Sequence, residues 1–213
     1  MDYGQYKLVR EALHERKTFL EIAPHLTSHL PIIIALHSWW QLPYFWLGAK
    51  VYDFLAGSQN METSYYLSHG KTIERWNSIR KDNFVGSVVY YDGLHNDARM
   101  NVSLALTAVL EGAVVANHVE VSSLIKNDAG QITGATMRDT LTGDTWSTTS
   151  SAVINATGPF SDTIRKMDDP STTELVAPSL GTHIILPKYY SPDGMGLIDP
   201  NTDDGRVMFF LPW

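Results

Sequence analysis

The sequence predicts an α/β fold with mixed α and β elements, and three observations favour this class. Residues 87–91, 98–111 and 113–116 alternate in pattern between strand, helix and strand. A small antiparallel meander is expected after them, with turn residues between its arms. Val153 and Ile154 then form an apolar run without polar alternation, which is typical of a strand buried on both faces of a parallel sheet.

The first element predicted along the chain is a helix over residues 5–22. Its apolar side chains recur at close to helical spacing, at Leu8, Val9, Ala12, Leu13, Leu20 and Ile22. Pro24 ends this pattern, because proline has no backbone N–H group to continue a helix.

The next segment, residues 30–49, carries no formal charge and is about as long as a membrane span. Pro31, Pro43 and His37 weaken a spanning helix. The segment is rich in residue types that favour the boundary between water and lipid, namely Trp39, Trp40, Tyr44, Phe45 and Trp46. We therefore favour an interfacial, monotopic membrane contact over a span, and a buried helix hairpin stands as an equal alternative.

A strand over residues 87–91 begins the α/β segment, and Asp92-Gly93 is predicted to form a turn. Asn96 or Asp97 is expected to cap the helix over residues 98–111. The alternative for these capping residues is a helix N-terminus aimed at a ligand.

The meander is predicted as two antiparallel strands, 119–125 and 131–137, joined by the turn 128–130. A second turn is expected at residues 142–144. The Thr/Ser run at 147–151 is typical of a hairpin arm or a loop.

Beyond Pro159 a short helix is predicted over residues 161–167, followed by loops rich in Pro, Asp and Ser. Strands 182–186 and 206–211 are expected to belong to a second sheet. Gly194-Met195-Gly196 has no strand pattern before it and no helix pattern after it, so a turn is predicted there.

Composition limits the classes of function. The chain has 213 residues, 44% of them apolar, which is enough for a globular core. Its formal net charge of −7 argues against a nucleic-acid partner, because nucleic-acid surfaces are basic. Since there is no cysteine, disulfides, thiolate catalysis and cysteine-bound zinc are excluded. The charged, helix-patterned N-terminus argues against a signal peptide.

Short motifs alone point to little specific chemistry. His25 and His29 have the spacing of a metal pair, but prolines bracket them and no H-E-x-x-H glutamate lies between, so no metal site is predicted. The sequence has neither a G-x-G-x-x-G pyrophosphate loop nor a G-x-S-x-G nucleophile elbow. His183 begins an apolar segment, where a partly buried structural histidine and a proton acceptor for an alcohol are both open.

A family resemblance is carried by four stretches: YYDGLHNDARMNVSLALTA, AVINATGPFSDTIRKMDDP, PSLGTHIILPKYYSPDGMGLIDP and DGRVMFFLPW. They closely resemble the FAD-dependent glycerol-3-phosphate dehydrogenases, particularly the mitochondrial form. The likeness extends to QYKLVREALHERKTFLEIAPHL and WWQLPYFWLGAKVYDFLAG, so it spans nearly the whole chain. A related flavin oxidase of amines or amino acids fits the Y-Y-D-G and N-A-T-G-P-F sequences less well.

This family belongs to the D-amino-acid-oxidase-like flavoproteins, so the resemblance implies part of a two-domain FAD-binding fold with a mixed-sheet substrate domain. Residues 1–86 are expected to be the helical, aromatic and membrane-proximal part of the substrate domain. Residues 87–170 are expected to be the second half of the FAD-binding domain. Residues 171–213 would then supply strands of the substrate domain.

The resemblance also implies site residues, with FAD as cofactor and glycerol 3-phosphate as substrate. The segment Ala156-Thr157-Gly158-Pro159 is similar to the family's second FAD contact, where backbone passes close to the dinucleotide. Val121 matches the position whose backbone contacts the adenine. His183 matches the active-site histidine that handles the proton of the C2 hydroxyl.

In this family the electrons pass to ubiquinone, which implies a peripheral, monotopic location on the surface of the mitochondrial inner membrane. Such a location strengthens the interfacial interpretation of residues 30–49. A homodimer is a further expectation.

The sequence also departs from the family's pattern. The N-terminal G-x-G-x-x-G unit and the cations that bind the substrate phosphate find no match, so the likeness is to the middle third of an enzyme. We interpret Arg165, Lys188 and Arg206 as solvated surface charges. We therefore expect that the chain alone does not oxidise glycerol 3-phosphate. The alternative is a truncated, non-catalytic paralogue that acts as a membrane-surface or subunit-interaction module through its aromatic segment.

Overall fold

The computed structural model describes residues 3–57, 60–76, 84–191, 194–200, 202 and 205–212. The chain divides into two compact units, unit 1 (Met1–Leu104 with Ile185–Trp213) and unit 2 (Ala105–Ile184). Helices and strands occur together, and the larger sheet contains parallel and antiparallel pairs, which confirms the predicted mixed fold class. The functional division at residues 86/87 and 170/171 stays a prediction.

Unit 1 is built on a five-stranded sheet with the order β2-β3-β1-β7-β8. The strands are β1 (Thr27–Leu36), β2 (Tyr65–Ser68), β3 (Gly86–His95), β7 (Gly196–Asp199) and β8 (Met208–Phe210). β1 lies in the middle, antiparallel to β3 and parallel to β7. Because β1 has a neighbour on each side, its backbone is hydrogen-bonded on both edges, and its apolar side chains are buried on both faces.

The buried helix hairpin, the alternative for residues 30–49, is wrong. The first part of this segment is the central strand β1, and α2 (Gln41–Ala56) begins after it. The continuous apolar run belongs to a strand buried on both faces, a pattern that periodicity alone does not separate from a buried helix. A membrane contact therefore concerns only the aromatic residues from Trp39 onward. No helix in the described part of the chain is long and apolar enough to cross a membrane.

Two apolar clusters lie on opposite faces of the sheet, because successive residues of a strand point to opposite sides. On one face α2 packs against the sheet around Leu36, Ala49 and Val88. On the other face lies a cluster of Ile33, Leu67, Trp76, Val89 and Met195. Beside this second cluster α3 (His69–Arg75) joins β3 through the buried hydroxyls of Thr72 and Ser87, 2.8 Å apart.

The helix predicted for residues 5–22 is confirmed as α1 (Tyr3–Ile22). Arg16 of α1 is buried and donates hydrogen bonds to the Tyr52 hydroxyl of α2 at 2.8 Å and to the Tyr91 carbonyl oxygen of β3 at 3.0 Å. Burial is the main cause that raises the pKa of Tyr52 to about 12. One cationic side chain therefore joins three elements of unit 1.

The turn predicted at Asp92-Gly93 is wrong, because β3 continues through both residues as far as His95, which pairs with Thr27. A side chain at Gly93 would come within 2.5 Å of the Phe19 ring of α1. Glycine at this position therefore permits the close approach of α1 to the sheet.

The helix after β3 is confirmed as α4 (Asp97–Leu110). The backbone N–H of Arg99 donates to the side-chain oxygen of Asn96 at 3.0 Å, so Asn96 is its cap.

Unit 2 contains a three-stranded antiparallel sheet in the order β4-β5-β6, which confirms the predicted meander. Its strands are β4 (Val119–Lys126), β5 (Ile132–Asp139) and β6 (Thr145–Thr149). The Thr/Ser run supplies the last part of β6, so it is a hairpin arm. Gly130 and Gly143, with φ of +78° and +84°, lie in the two connecting turns.

Three predicted strands, 113–116, 152–155 and 182–186, are not strands in the described structure. Apolar side chains in them are largely exposed, Val114 by 98% and Ile154 by 88%. The strand predicted as buried on both faces is therefore wrong. A strand requires a hydrogen-bonded neighbour, and no sheet pairing in the described residues includes these segments.

The C-terminal strands differ from prediction in their bounds. The expected turn at Gly194-Met195-Gly196 ends in β7, which starts at Gly196. The strand predicted over 206–211 is confirmed only for Met208–Phe210.

Candidate functional site

The loop predicted to contact FAD runs into one 3-10 turn (Gly158–Phe160), and α5 (Ser161–Asp168) follows, which confirms the predicted short helix. Gly158 in this loop has a φ of +54°, a conformation that favours glycine. Apart from Gly158 and its two chain neighbours, no heavy atom of the described residues lies within 4 Å of the position that a Cβ of Gly158 would occupy. The loop therefore presents exposed backbone with open space in front of it.

Asn155 fixes the shape of this loop. Its side-chain oxygen accepts hydrogen bonds from the Thr157 hydroxyl at 2.8 Å and the Thr157 backbone N–H at 3.3 Å. Its side-chain nitrogen donates to the carbonyl oxygen of Ser161 at 2.9 Å. The Ser161 hydroxyl in turn donates to the Gly158 carbonyl oxygen at 2.7 Å. The loop is thus tied to the first residue of α5.

Asp162, the second residue of α5, holds a later segment of the chain. Its carboxylate accepts hydrogen bonds from the backbone N–H groups of Leu175 and Val176, each at 2.9 Å. The other oxygen of the carboxylate accepts from the Arg165 guanidinium at 2.6 Å. The hydrogen bond from Val176 is the main cause that holds the pKa of Asp162 below its ordinary value.

Arg165 and Lys166 strengthen the same attachment. Arg165 also donates to the Thr173 carbonyl oxygen at 2.9 Å, and Lys166 pairs with Glu174 at 2.6 Å. The interpretation of Arg165 as a solvated surface charge is therefore wrong, because it is paired with Asp162. Residues 173–176 are held along α5 by these contacts, and His183 follows seven residues after Val176 in the sequence.

Val121 lies in β4 opposite Met137, next to an irregularity in the strand register between Val121 and Ser123. β4 packs against α5, and Lys126 of β4 pairs with Asp168 of α5 at 2.7 Å. The two predicted FAD contacts, Val121 and the loop at 156–159, thus lie on elements that are joined to each other.

His183 lies in a segment without regular secondary structure, and its side chain is exposed. Its neighbours Ile184 and Ile185 are 78% and 74% exposed. This exposure contradicts the interpretation of His183 as a partly buried structural residue. An accessible imidazole can accept a proton, so the other interpretation, that of a proton acceptor, stays a prediction.

His25 and His29, which have the sequence spacing of a metal pair, lie in different elements of the structure. His25 lies in the turn after α1, and His29 lies in β1. Within the residues that the structure describes, no cluster of three or more histidine, aspartate or glutamate side chains is placed to hold a metal ion.

Comparison with known proteins adds to this geometry. A family model described as FAD dependent oxidoreductase matches residues 2–213. The chain is 54% identical over 218 residues to the mitochondrial glycerol-3-phosphate dehydrogenase of Bos taurus, covering 100% of this chain and 30% of that protein. It is 50% identical to the mitochondrial glycerol-3-phosphate dehydrogenase of Arabidopsis thaliana, covering 100% of this chain and 35% of that protein.

Solved structures show the same fold at lower identity. The glycerol-3-phosphate dehydrogenase from Bacillus halodurans, complexed with FAD, matches with a TM-score of 0.65 and 21% identity, over 94% of this chain and 36% of that one. The L-proline dehydrogenase from P. horikoshii matches with a TM-score of 0.64 and 12% identity, over 96% of this chain and 54% of that one. The chain thus spans about a third of the length of the Bos taurus and Arabidopsis thaliana relatives, 30% and 35%.

Proposed function

The chain belongs to the FAD dependent oxidoreductase family, and from this premise we propose that it is a segment of an sn-glycerol-3-phosphate dehydrogenase that transfers electrons to ubiquinone. FAD is the cofactor of this family. The observation that carries the proposal is the 54% identity to the Bos taurus enzyme along the whole chain. Because the match covers 30% of that enzyme, the proposed reaction belongs to the whole protein.

The loop at 156–159 is suited to contact FAD through its backbone. Gly158 has open space before its backbone, which lets a large group approach closely. The cations nearest to this loop in sequence do not complete a pyrophosphate site, because Arg138, Arg165 and Lys166 are all paired with carboxylates. We infer that the loop at 156–159 and the backbone of Val121 hold one side of the cofactor.

FAD, when bound, supplies a two-electron acceptor for the oxidation of an alcohol to a ketone. The proposed role of His183 is to take the proton of the C2 hydroxyl of glycerol 3-phosphate on an imidazole nitrogen. Removal of this proton raises the electron density on the C2 oxygen and favours loss of the C2 hydrogen as hydride, giving dihydroxyacetone phosphate. Its exposed position leaves the imidazole accessible to such a substrate.

The role proposed for α5 is to position both parts of the site. Asn155 and Ser161 fix the cofactor loop at the N-terminus of α5. Asp162 and Arg165 fix residues 173–176 to the same helix, and we infer that this attachment limits the positions open to His183, seven residues further on. Catalytic groups must be held close to their productive geometry, and attachment to one helix serves this need.

The proposed location is the surface of the mitochondrial inner membrane, as a peripheral, monotopic protein. The relatives are named as mitochondrial enzymes, and ubiquinone is dissolved in the bilayer. The exposed Trp39 and Trp40 are of a residue type that favours the membrane boundary. A homodimer stays a prediction, which sedimentation of the whole protein would test.

A second candidate is a non-catalytic module that binds a membrane surface or another subunit through the aromatic segment. The exposure of Trp39, Trp40 and Tyr44 favours it, and it does not require His183 to act. Replacement of His183 separates the two functions, since only the enzyme depends on this side chain.

A chimera tests the proposed enzyme function. The 213 residues would replace the matching segment of the Bos taurus enzyme, and reduction of a ubiquinone analogue would be measured with glycerol 3-phosphate and with glycerol. We expect reduction with glycerol 3-phosphate and little with glycerol. A flavin-loaded chimera that reduces no quinone with either substrate would contradict the proposal.

A further inference from the structure

His118, the residue directly before β4, has an unusual backbone conformation. Its φ is +57°, and among the described residues it is the one residue other than glycine with a positive φ. Such values are uncommon for residues with a side chain, because the Cβ atom crowds a neighbouring carbonyl oxygen. A strained backbone persists only where its surroundings hold it in place, and strained residues concentrate at functional sites.

Thr140, the residue directly after β5, holds His118 in this conformation. The backbone N–H and the hydroxyl of Thr140 both donate to the carbonyl oxygen of His118, at 2.8 and 2.9 Å. Thr140 lies in an ordered turn, because the side-chain oxygen of Asp139 accepts hydrogen bonds from the backbone N–H groups of Leu141 at 2.7 Å and Thr142 at 3.2 Å. The start of β4 is therefore fixed by the turn that follows its neighbour β5.

A second irregularity lies further along β4. Val121 pairs with Met137 on β5, but Ser123 pairs with Thr136, so Ser122 is an extra residue, as in a β-bulge. The hydroxyl of Ser122 donates to the carbonyl oxygen of Thr136 at 3.1 Å. A bulge bends its strand and redirects the groups beside it. Val121 thus lies between this bulge and the residue with positive φ, so two local features control its position.

β4 is also an edge strand. In the order β4-β5-β6 it has a strand neighbour on one side only among the described residues. An extended residue presents its N–H and its C=O on the same side, so such an edge offers a donor and an acceptor next to each other. The edge of an adenine ring has the complementary pair, an amino group that donates and a ring nitrogen that accepts.

We propose that the strained backbone of His118, held by Thr140, sets the position of Val121 so that this strand edge receives the adenine end of FAD. His118 and Thr140 are then positioning residues, which act through Val121. The imidazole of His118 is exposed and has no part in this role, because only the backbone conformation is used. The inference rests on the FAD contact proposed above for Val121, and it adds the residues that fix that contact.

Two substitutions of His118 separate its backbone from its side chain. Valine is β-branched and is an outlier at positive φ, whereas asparagine tolerates it. His118→Val is therefore expected to move the backbone of residue 118 out of its strained conformation, and His118→Asn removes the imidazole while keeping that conformation. Thr140→Val removes one of the two hydrogen bonds to the His118 carbonyl oxygen. The matched control is Thr145→Val, which changes an exposed threonine of β6.

Binding of two flavins to the flavin-free chimera tests the proposal. FAD is compared with FMN, which lacks the adenosine monophosphate part. We expect His118→Val to weaken FAD binding by about tenfold and Thr140→Val by roughly three- to tenfold. Their affinity for FMN should stay within about twofold of the parent chimera, because FMN does not reach the adenine site. His118→Asn and Thr145→Val should bind FAD within about twofold of the parent.

Several outcomes would overturn the proposal. Equal weakening of FAD and FMN binding would indicate a general loss of structure, and equal weakening by valine and asparagine at position 118 would assign the effect to the imidazole. Parent-like FAD binding in both His118→Val and Thr140→Val, or no FAD binding by the parent, would also contradict it. Thr140→Val leaves residue 118 unchanged, so the test does not depend on whether His118→Val folds. No substrate is added: a parent chimera that binds FAD but is inactive contradicts the enzyme function and not this inference.

Discussion

Asp162 at the start of α5 accepts a 2.9 Å hydrogen bond from the backbone N–H of Val176. Val176 lies seven residues before His183, the proposed catalytic histidine, in the sequence. The same carboxylate is paired with the Arg165 guanidinium. A charged acceptor makes stronger hydrogen bonds than a neutral one, so this contact is well suited to fix a segment that belongs to neither sheet.

Replacement of Asp162 by asparagine is expected to loosen residues 173–176. Asparagine keeps one acceptor oxygen but loses the negative charge that binds Arg165. Hydrogen exchange at the amides of Leu175 and Val176 should become roughly tenfold faster. The control is Asp144→Asn, which changes a carboxylate in the turn before β6 and should leave these two amides unchanged. Unchanged exchange in Asp162→Asn would contradict the assignment.

The same contact predicts a pH dependence. The folded-state pKa of Asp162 is held below its ordinary value of 3.8 by the hydrogen bonds that it accepts and by Arg165. A lowered folded-state pKa stabilises the fold above the unfolded value, and this stabilisation is lost as the pH falls through the folded value. Protection of the Val176 amide should therefore be constant near neutral pH and fall below pH 3.8. In Asp162→Asn this step should be absent.

Gly158→Ala is expected to lower both stability and FAD retention. The φ of +54° at this position costs an L-residue roughly 1–2 kcal/mol, although space for the methyl group is present. Urea unfolding of the chain and flavin absorbance of the desalted chimera measure the two effects. Gly48→Ala is the matched control, since Gly48 lies in α2, has no positive φ, and a Cβ added there would meet no atom outside its own stretch of helix backbone within 4 Å. Full stability and full flavin in Gly158→Ala would contradict the prediction.

The buried hydroxyl pair of Thr72 and Ser87 predicts a coupled effect on stability. Thr72 donates its single hydroxyl hydrogen to the Ser68 carbonyl oxygen at 3.0 Å, so Ser87 is the donor to Thr72. Thr72→Val should cost about 1–3 kcal/mol, because it leaves the fully buried Ser87 hydroxyl without its acceptor. Adding Ser87→Ala should recover part of that loss. Urea unfolding of the two single variants and the double variant checks this, and strictly additive costs would contradict it.

The elements that could be predicted from the sequence are those with local signals. α1 follows from helical spacing, α4 from its Asn96 cap, and the β4–β6 meander from turns that contain Gly130 and Gly143. β1 could not be separated from a helix, because its apolar run reflects two sheet neighbours that lie about 50 or more residues away along the chain. Segment 113–116 has strand composition, but composition does not supply a pairing partner.

The candidate site was predictable only in part. The loop at 156–159 is visible in the sequence as a glycine and a proline after an apolar run. The anchoring roles of Asn155 and Asp162 were missed. An aspartate in the first turn of a helix is a recognisable signal, but its backbone partners at 175–176 lie 13 and 14 residues away and have no signature of their own.

The proposal that His183 takes the proton of the substrate hydroxyl is tested most directly by the steady-state rate of the chimera carrying His183→Ala. We expect kcat with glycerol 3-phosphate to fall by about 10²–10⁴-fold, while the flavin remains bound and KM changes little. His14→Ala, which removes an exposed histidine of α1, should leave kcat unchanged. A His183→Ala chimera that keeps its flavin and turns over within twofold of the parent chimera would contradict this role.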